Sequence, residues 1–405
     1  MVAHSKVIGG IEIGTSKVAV LVGEIMNGNS LNIIGFGQAP SRGILKGTIY
    51  DYRLVSDCAH AAIIAAEKRA QTQIEGVYLA QTGGHVEGFY NDGTVNVSSP
   101  DNMVSAADIS RVCEVAKAKG LPPNRSVIHH MRGPFALDGR TVANPLHLKG
   151  KQLNVGYWTV HGELDRMSDN IHIINGFSLE VEDLILSALA SAIMVTIPDQ
   201  RNSGILVLDI GCGSTDFVLY QNGYVAVAGT VPVAGDHLTN DLSLGLRISR
   251  RQAEVVKIRH GKAVPDPRDK NVKVWLEGEL SIGERPLPQY GISQILECRL
   301  EELFQIVREK CGPAFQPGRL GAGVVITGGT SRLEGITEVA ARVFETEARQ
   351  GENPSWVVPE LSGPEYSTIL GLLYYGLWNQ ETVDAVRSSG QRKGLVKKLT
   401  SFWGR

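Results

Sequence analysis

The first apolar positions of the chain repeat with a period of two. The β-branched runs Val7–Ile13 and Val18–Val22 flank a glycine turn, which predicts a β-hairpin. Helical spacing takes over from about Leu54 to Gln71, and a strand is expected at Gly76–Gln81. From Gly83 to about Arg166 the pattern changes, with turn residues at Asn91-Asp92-Gly93, Pro122-Pro123-Asn124 and Asp138-Gly139. A helix is expected to begin near Ser105, where Ser105 and Asp108 resemble a capping box with Asp in place of Glu. Strands are expected at Ser126–Met131 and Leu153–His161. This stretch reads as a small α+β module inserted in the first domain, because helical and strand patterns like those of the first 80 residues resume after it.

Beyond the insertion, residues 171–175 read as a strand and Val181–Met194 as a helix. Gly204–Tyr220 then repeats the opening theme. Glu12-Ile13-Gly14 and Asp209-Ile210-Gly211 hold the same place in two hairpins, 197 positions apart, and Asn27-Gly28 and Asn222-Gly223 are matching turn signals. Two halves that each begin strand, acid-x-Gly, strand imply a duplicated α/β domain with a cleft between the copies. A polar stretch after Pro267 precedes a long helix, about Ile292–Glu309, with Ile295, Leu296, Leu300, Leu303, Phe304 and Val307 on one face. A strand at Gly323–Thr327, Gly328-Gly329, a helix from about Leu333 and a last folded helix at Tyr366–Leu377 complete the pattern. The polar run Asn379–Lys393 reads as a linker.

The length of 405 residues predicts two to four domains. A net charge of −2 argues against a dedicated nucleic-acid binder, and 43% apolar with 20% charged residues excludes global disorder. Cys58, Cys113, Cys212, Cys298 and Cys311 form no Cys-x-x-Cys pair and no disulfide framework, so a reducing cytoplasm is the simplest compartment. Met1–Lys6 carries no secretory pattern. No apolar run reaches the length of a membrane span; Leu184–Ile197 is too short and is interrupted by Ser187, Ser191 and Thr196.

Three glycine turns bear on chemistry together. Gly14-Thr15-Ser16-Lys17 and Gly211-Cys212-Gly213-Ser214-Thr215 can turn backbone N–H groups toward phosphate oxygens, with hydroxyls and the Lys17 ammonium as further donors. Asp209, at a strand end, is placed to hold Mg²⁺ through waters. Thr327-Gly328-Gly329-Thr330 joins a strand to a helix and offers bare backbone to a flat ring. Any one of these alone is simply a tight turn; the ordered set is hard to obtain from turn chemistry.

The set is similar to the two phosphate motifs and the adenosine motif of the actin/Hsp70/sugar-kinase ATPase superfamily. Within it, the chain resembles the FtsA family of bacterial division proteins. The resemblance rests on Gly10–Lys17, Pro40–Gly47, Asn144-Pro145 ahead of Gly150, Ala234–Asp236, Ala253–Gly261, Ile326–Gly329 and Tyr366–Gly371. The insertion falls where that family carries its extra subdomain. The resemblance implies a two-lobed actin-like α/β fold, duplicated from a ribonuclease-H-like domain, that binds ATP with Mg²⁺ and polymerises. Its divisions are expected at 1–82 with 167–200 and 363–380 (1A), 83–166 (1C), 201–242 with 308–362 (2A) and 243–307 (2B), then a 381–393 linker and a terminal 394–405 helix. It further implies that Glu254 and Lys257 contact ribose and adenine; without it they read as a solvated ion pair one helical turn apart. Glu12, in place of the usual Asp, joins Asp209 near the metal through water. Cys212 stands where many relatives have glycine. No residue stands out as the base that orients an attacking water, so ATP is expected to close the cleft as a structural ligand with slow or absent turnover.

The chain ends in a different pattern. On a helix, Leu395, Val396, Leu399, Phe402 and Trp403 share an arc of about 120°, with Lys397, Lys398 and Arg405 on the opposite side. Over about 18 Å such a helix cannot cross a bilayer and reads as lying in the plane of an anionic membrane; the alternative is a terminal helix docked on its own domain. His129 and His130 point to opposite faces of a strand, which is poor metal geometry. Arg285 and Arg299 fall where the resemblance implies binding of the acidic C-terminal tail of the tubulin-like protein FtsZ, with ordinary surface arginines as the alternative. The expectation is a peripheral protein of the cytoplasmic membrane face at the septum. It would tether FtsZ filaments, assemble with itself and meet later division proteins through the insertion. The rival readings are a membrane adapter of a pilus system and a small-molecule kinase or phosphatase of the same fold.

Overall fold

The computed structural model describes residues 6–26, 30–275 and 286–388, the stretch 380–388 as backbone only. Two five-stranded sheets follow one plan. In the first, the meander Lys6–Ile13, Lys17–Met26 and Ser30–Pro40 is antiparallel, and Gly76–Gln81 and then Glu180–Leu186 add in parallel beside its first strand. In the second, Ile205–Ile210, Thr215–Gln221 and Tyr224–Val231 form the meander, and Val324–Thr327 and Ala348–Gln350 add in parallel on the same side. The duplication expected from the repeated hairpins is therefore a duplication of whole sheets. The turn at Asn222-Gly223 has φ of 52° and 79°, the pair of positive values a tight primed hairpin needs. The matching Asn27-Gly28 lies outside the described residues.

The insertion is a separate antiparallel sheet in the order Glu87–Asn96, Gln152–Glu163, Arg125–Leu137, Arg140–Val142. Helix Ala106–Lys117 covers one face and buries Val112 and Ala116 against Phe135, Leu153, Val155 and Tyr157. Ser105 caps that helix, and the Asp108 carboxylate returns the bond to the Ser105 N–H at 3.0 Å, so the capping box is real with Asp in the Glu position.

The lobes meet on helix Ser187–Val195, whose residues are nearly all buried. It shares a core with Leu21 and Tyr78 of the first sheet and Val207, Val218 and Tyr220 of the second. Helix Ser367–Ser388 crosses it closely at Gly371, where a Cβ would come within 1.9 Å of the Ala190 carbonyl oxygen. A side chain there would force the helices apart, at about 1–3 kcal/mol.

Four elements differ from the sequence reading. Residues 171–175 close a helix, Leu164–Asn175, not a strand. Their β-branched composition suggests a strand, yet Met167, Ile173 and Ile174 are buried along one helical face. Val181–Met194 divides into the strand Glu180–Leu186 and the helix from Ser187, because parallel pairing with Gly76–Gln81 claims its first half. The helix expected from Leu333 starts at Ile336, after Gly335 at φ 79°. The last helix continues to Ser388 through residues read as a linker, since polarity alone does not break a helix. Among the described residues no helix is long and apolar enough to cross a membrane.

Candidate functional site

Between the lobes lies a cleft of about 580 Å³, and both hairpin turns open into it. The turns are made alike. Gly14 N–H donates to the Lys17 carbonyl at 3.0 Å, and Gly211 N–H donates to the Ser214 carbonyl at 3.0 Å. Register sets what each strand end presents: Glu12 lies opposite Ala19, and Asp209 lies opposite Asp216. The turns also touch one another. A Cβ on Gly213 would fall 2.3 Å from Thr15 Oγ1, so only glycine lets the second turn reach the first.

Gly14, Thr15, Ser16, Lys17, Asp209, Gly211, Gly213, Ser214, Glu254, Lys257, Gly328 and Gly329 all line this cleft, as do Glu12 and Cys212. Thr215 is not brought to it. Neighbouring strand residues face opposite ways, and the Thr215 hydroxyl donates instead to the Val233 carbonyl at 2.7 Å. Gly328 abuts Asp209: its φ is 83°, and a Cβ would approach Asp209 Oδ1 to 2.4 Å. Glu254 and Lys257 form an ion pair at 2.7 Å, while the Lys257 ammonium also donates to the Gly235 carbonyl at 3.0 Å and to Thr239 Oγ1 at 2.8 Å. The pair is thus anchored on the cleft wall and is not a freely solvated one.

Burial dominates the electrostatics of the cleft acids. Burial pushes Glu12 up to about 7, against the pull of Lys17, and Asp216 up to about 8, against hydrogen bonds from Thr230 and Thr82. Burial also raises Asp209, although Thr368 donates to it at 2.5 Å. Glu12 Oε2 is buried without a hydrogen-bond partner. Burial lowers Lys17, whose ammonium donates to the Glu365 carbonyl at 2.9 Å and lies 3.9 Å from the centroid of the Tyr366 ring. Among the described residues no group of three or more His, Cys, Asp or Glu side chains is placed to hold a metal alone. A divalent cation beside Glu12 and Asp209 would therefore need water and phosphate oxygens for the rest of its shell. The cleft fits such a ligand: an unpartnered buried acceptor, two glycine turns in contact and an ammonium at one wall.

Several cleft residues were not singled out from the sequence. Asp216 is one, and its signal is the register that pairs it with Asp209. Thr82, from the end of strand Gly76–Gln81, donates across the cleft to Asp216 at 2.7 Å and lies 3.0 Å from Ser214 Oγ. Ser187 and Thr368 begin the two central helices, and Arg332 pairs with Glu365 at 2.9 Å near the rim. Burial raises the Cys212 thiol to about 11, which disfavours a reactive thiolate.

Outside the cleft, His129 accepts the Leu186 N–H at 3.1 Å and His130 lies 2.9 Å from Thr159 Oγ1, structural placements both. Arg299 donates to Asp241 at 2.5 Å and is also paired with Glu302. Arg285 and the terminal positions Leu395, Val396, Lys397, Lys398, Leu399, Phe402 and Trp403 lie outside the described residues.

Two family descriptions match the chain: cell division protein FtsA over residues 206–371, and an SHS2 domain inserted in FtsA over residues 83–161. The cell division protein FtsA of Escherichia coli K12 is 33% identical over 413 residues, spanning 98% of this chain and 97% of that protein. Its counterpart from Pseudomonas aeruginosa is 32% identical over 399 residues, spanning 96% and 94%. Among solved structures, the PilM-PilN type IV pilus biogenesis complex aligns with a TM-score of 0.62 at 17% identity, over 91% of this chain and 98% of that one, a likeness of fold.

Proposed function

This chain belongs to the cell division protein FtsA family, and we propose on that basis that it is an ATP-binding, polymerising protein that tethers FtsZ filaments to the cytoplasmic membrane. The observation that carries the reading is the pair of matched glycine hairpins in contact across one cleft. We assign the nucleotide phosphates to the turns at Gly14–Lys17 and Gly211–Ser214. Ribose and adenine are assigned to the wall of Glu254, Lys257, Gly328 and Gly329. Mg²⁺ would be held through water near Asp209 and Glu12, where it would neutralise phosphate charge and relieve the crowding of three buried acids. Lys17 supplies a second counter-charge once it leaves the Glu365 carbonyl. Thr15, Ser16 and Ser214 orient phosphate oxygens, while Thr82 and Thr368 hold the acids in place from the opposite lobe. In this reading ATP closes the lobes as a structural ligand.

We assign 1–82 with 167–200 and 363–380 to one lobe, 201–242 with 243–307 and 308–362 to the other, and 83–166 to the inserted subdomain. The terminal segment is assigned to an anionic membrane surface and the insertion to later division proteins. Arg299 is assigned to the FtsZ tail, whose acidic side chains would compete with Asp241 and Glu302 for the guanidinium. A pilus adapter shares the fold, but the family matches favour division.

Vesicle recruitment tests the whole reading. With Mg-ATP and anionic vesicles, the full chain is expected to carry FtsZ into the pellet. Removal of residues 394–405 should abolish recruitment, and Arg299→Glu should weaken it about tenfold, the loss of one charge-assisted pair. FtsZ left in the supernatant with the intact chain would contradict the proposal.

A further inference from the structure

An aromatic ridge where the loop at Trp356 meets the last helix has no part in the cleft. Trp356, in the loop before Val357, stacks on Tyr374 with ring centroids 6.1 Å apart and planes at 24°. Tyr374 in turn meets Trp378, one helical turn on, at 5.8 Å. Trp356 is 50% exposed, Trp378 37% and the neighbouring Val358 47%. Exposed aromatic groups packed on one another mark a contact site more readily than apolar residues scattered singly.

We propose that this ridge is a second membrane contact, seated in the headgroup region of the bilayer. The inference rests on the reading of the terminal segment as a membrane helix. The first argument is continuity. Tyr374 and Trp378 belong to helix Ser367–Ser388, the last described element before the terminal segment 394–405 in the sequence. Trp378 is about 15 Å along the axis from Ser388, at about 1.5 Å per residue, so both features belong to one end of the chain. The second argument is chemistry. Trp and Tyr join a broad apolar ring to a polar tip, which suits the layer between acyl chains and water. The third is charge. The nearby exposed groups Arg69 and Glu360 pair with each other at 3.0 Å, so this part of the surface needs no cationic lipid and repels no anionic one through them. A single short tail would leave the body free to turn about its tether. Two separated contacts would fix which face of the protein looks toward the lipid.

The test uses the full chain in three forms: unaltered, Trp356→Ser with Trp378→Ser, and Leu399→Asp with Trp403→Asp. Each is titrated with anionic phosphatidylglycerol/phosphatidylcholine vesicles, with and without brominated acyl chains that quench tryptophan in contact with lipid. The ridge variant is expected to bind about tenfold more weakly, with an unchanged melting temperature and unchanged binding of Mg-ATP. The tail variant, which keeps Trp356 and Trp378, is expected to bind weakly but to retain bromine quenching, and adding the ridge changes should remove that quenching. Tighter vesicle binding by the ridge variant would mean that the ridge masks the chain's own tail, and would overturn the proposal. Unchanged affinity and quenching, or a change only in self-association, would overturn it also. Normal vesicle binding by the tail variant would sink the tail reading while leaving the ridge assignment standing on its quenching.

Discussion

In the first lobe the glycine turn carries Lys17 and sets Glu12 against Ala19. In the second, the positions 197 residues further on carry Ser214 and set Asp209 against Asp216. The backbone is the same, down to the turn-closing bond from Gly14 to Lys17 and from Gly211 to Ser214, both 3.0 Å. The side chains have diverged into complementary halves: each turn brings hydroxyls, but the first hairpin adds an ammonium and one acid, and the second adds two acids and no ammonium. Neither half alone suits a polyphosphate with a divalent cation. The lesson is that a duplicated unit became one site by dividing its charges between the copies.

That comparison can be broken at several strengths. Asp209→Ala should cost the most, lowering Mg-ATP affinity by about 100-fold in calorimetric titration, while Lys17→Met costs about tenfold, in keeping with the loss of strong charged contacts. If Lys17→Met proved the more damaging, the acids would not be the metal side of the site. Gly213→Ala comes next. Its Cβ would fall 2.3 Å from Thr15 Oγ1, so the turns must part, and affinity should drop about tenfold. Gly120→Ala, in the insertion and away from the cleft, is the control, since a Cβ there would meet nothing within 4 Å.

A pH experiment sharpens the contrast between Ala19 and Asp216. Burial raises Asp216 from 3.8 to about 8 in the folded chain. A folded pKa above the unfolded one means that the acid resists ionisation on folding. The metal-free protein should therefore lose stability as pH rises from about 4 to 8, and Mg²⁺ should offset part of the loss. Asp216→Asn is expected to raise the melting temperature by a few degrees at pH 8, to change it little at pH 4 and to flatten the slope between. Ala19→Asp, which buries a carboxyl in the core, should lower the melting temperature at both pH values and more at pH 8. The smallest effect belongs to Cys212→Gly, with Mg-ATP affinity expected to stay within about twofold, because a turn of this kind asks only for backbone.

What the sequence disclosed was local. Both hairpins, the Ser105 capping box and the Asn222-Gly223 turn are specified by residues a few positions apart, and each stands in the structure where its spacing puts it. The junction at Leu186 is illegible in the sequence because Leu184–Val195 is apolar but for Ser187 and Ser191 and holds no Gly or Pro, and only pairing to Gly76–Gln81 divides it. Thr82, Ser187 and Thr368 carry no signal in the sequence because each is an ordinary hydroxyl near an element's end, and the fold alone gathers them around Asp209 and Asp216. Thr215 was placed in the cleft by adjacency to Ser214, whereas strand alternation turns it away.

Whether both hairpins hold one ligand is read directly by a crystal structure of the full chain with Mg²⁺ and a non-hydrolysable ATP analogue. The expected result is one triphosphate bonded to the Gly14–Lys17 turn on one side and the Gly211–Ser214 turn on the other, with the cation's waters facing Asp209 and Glu12. Phosphates held by a single turn, or a nucleotide bound away from this cleft, would contradict it.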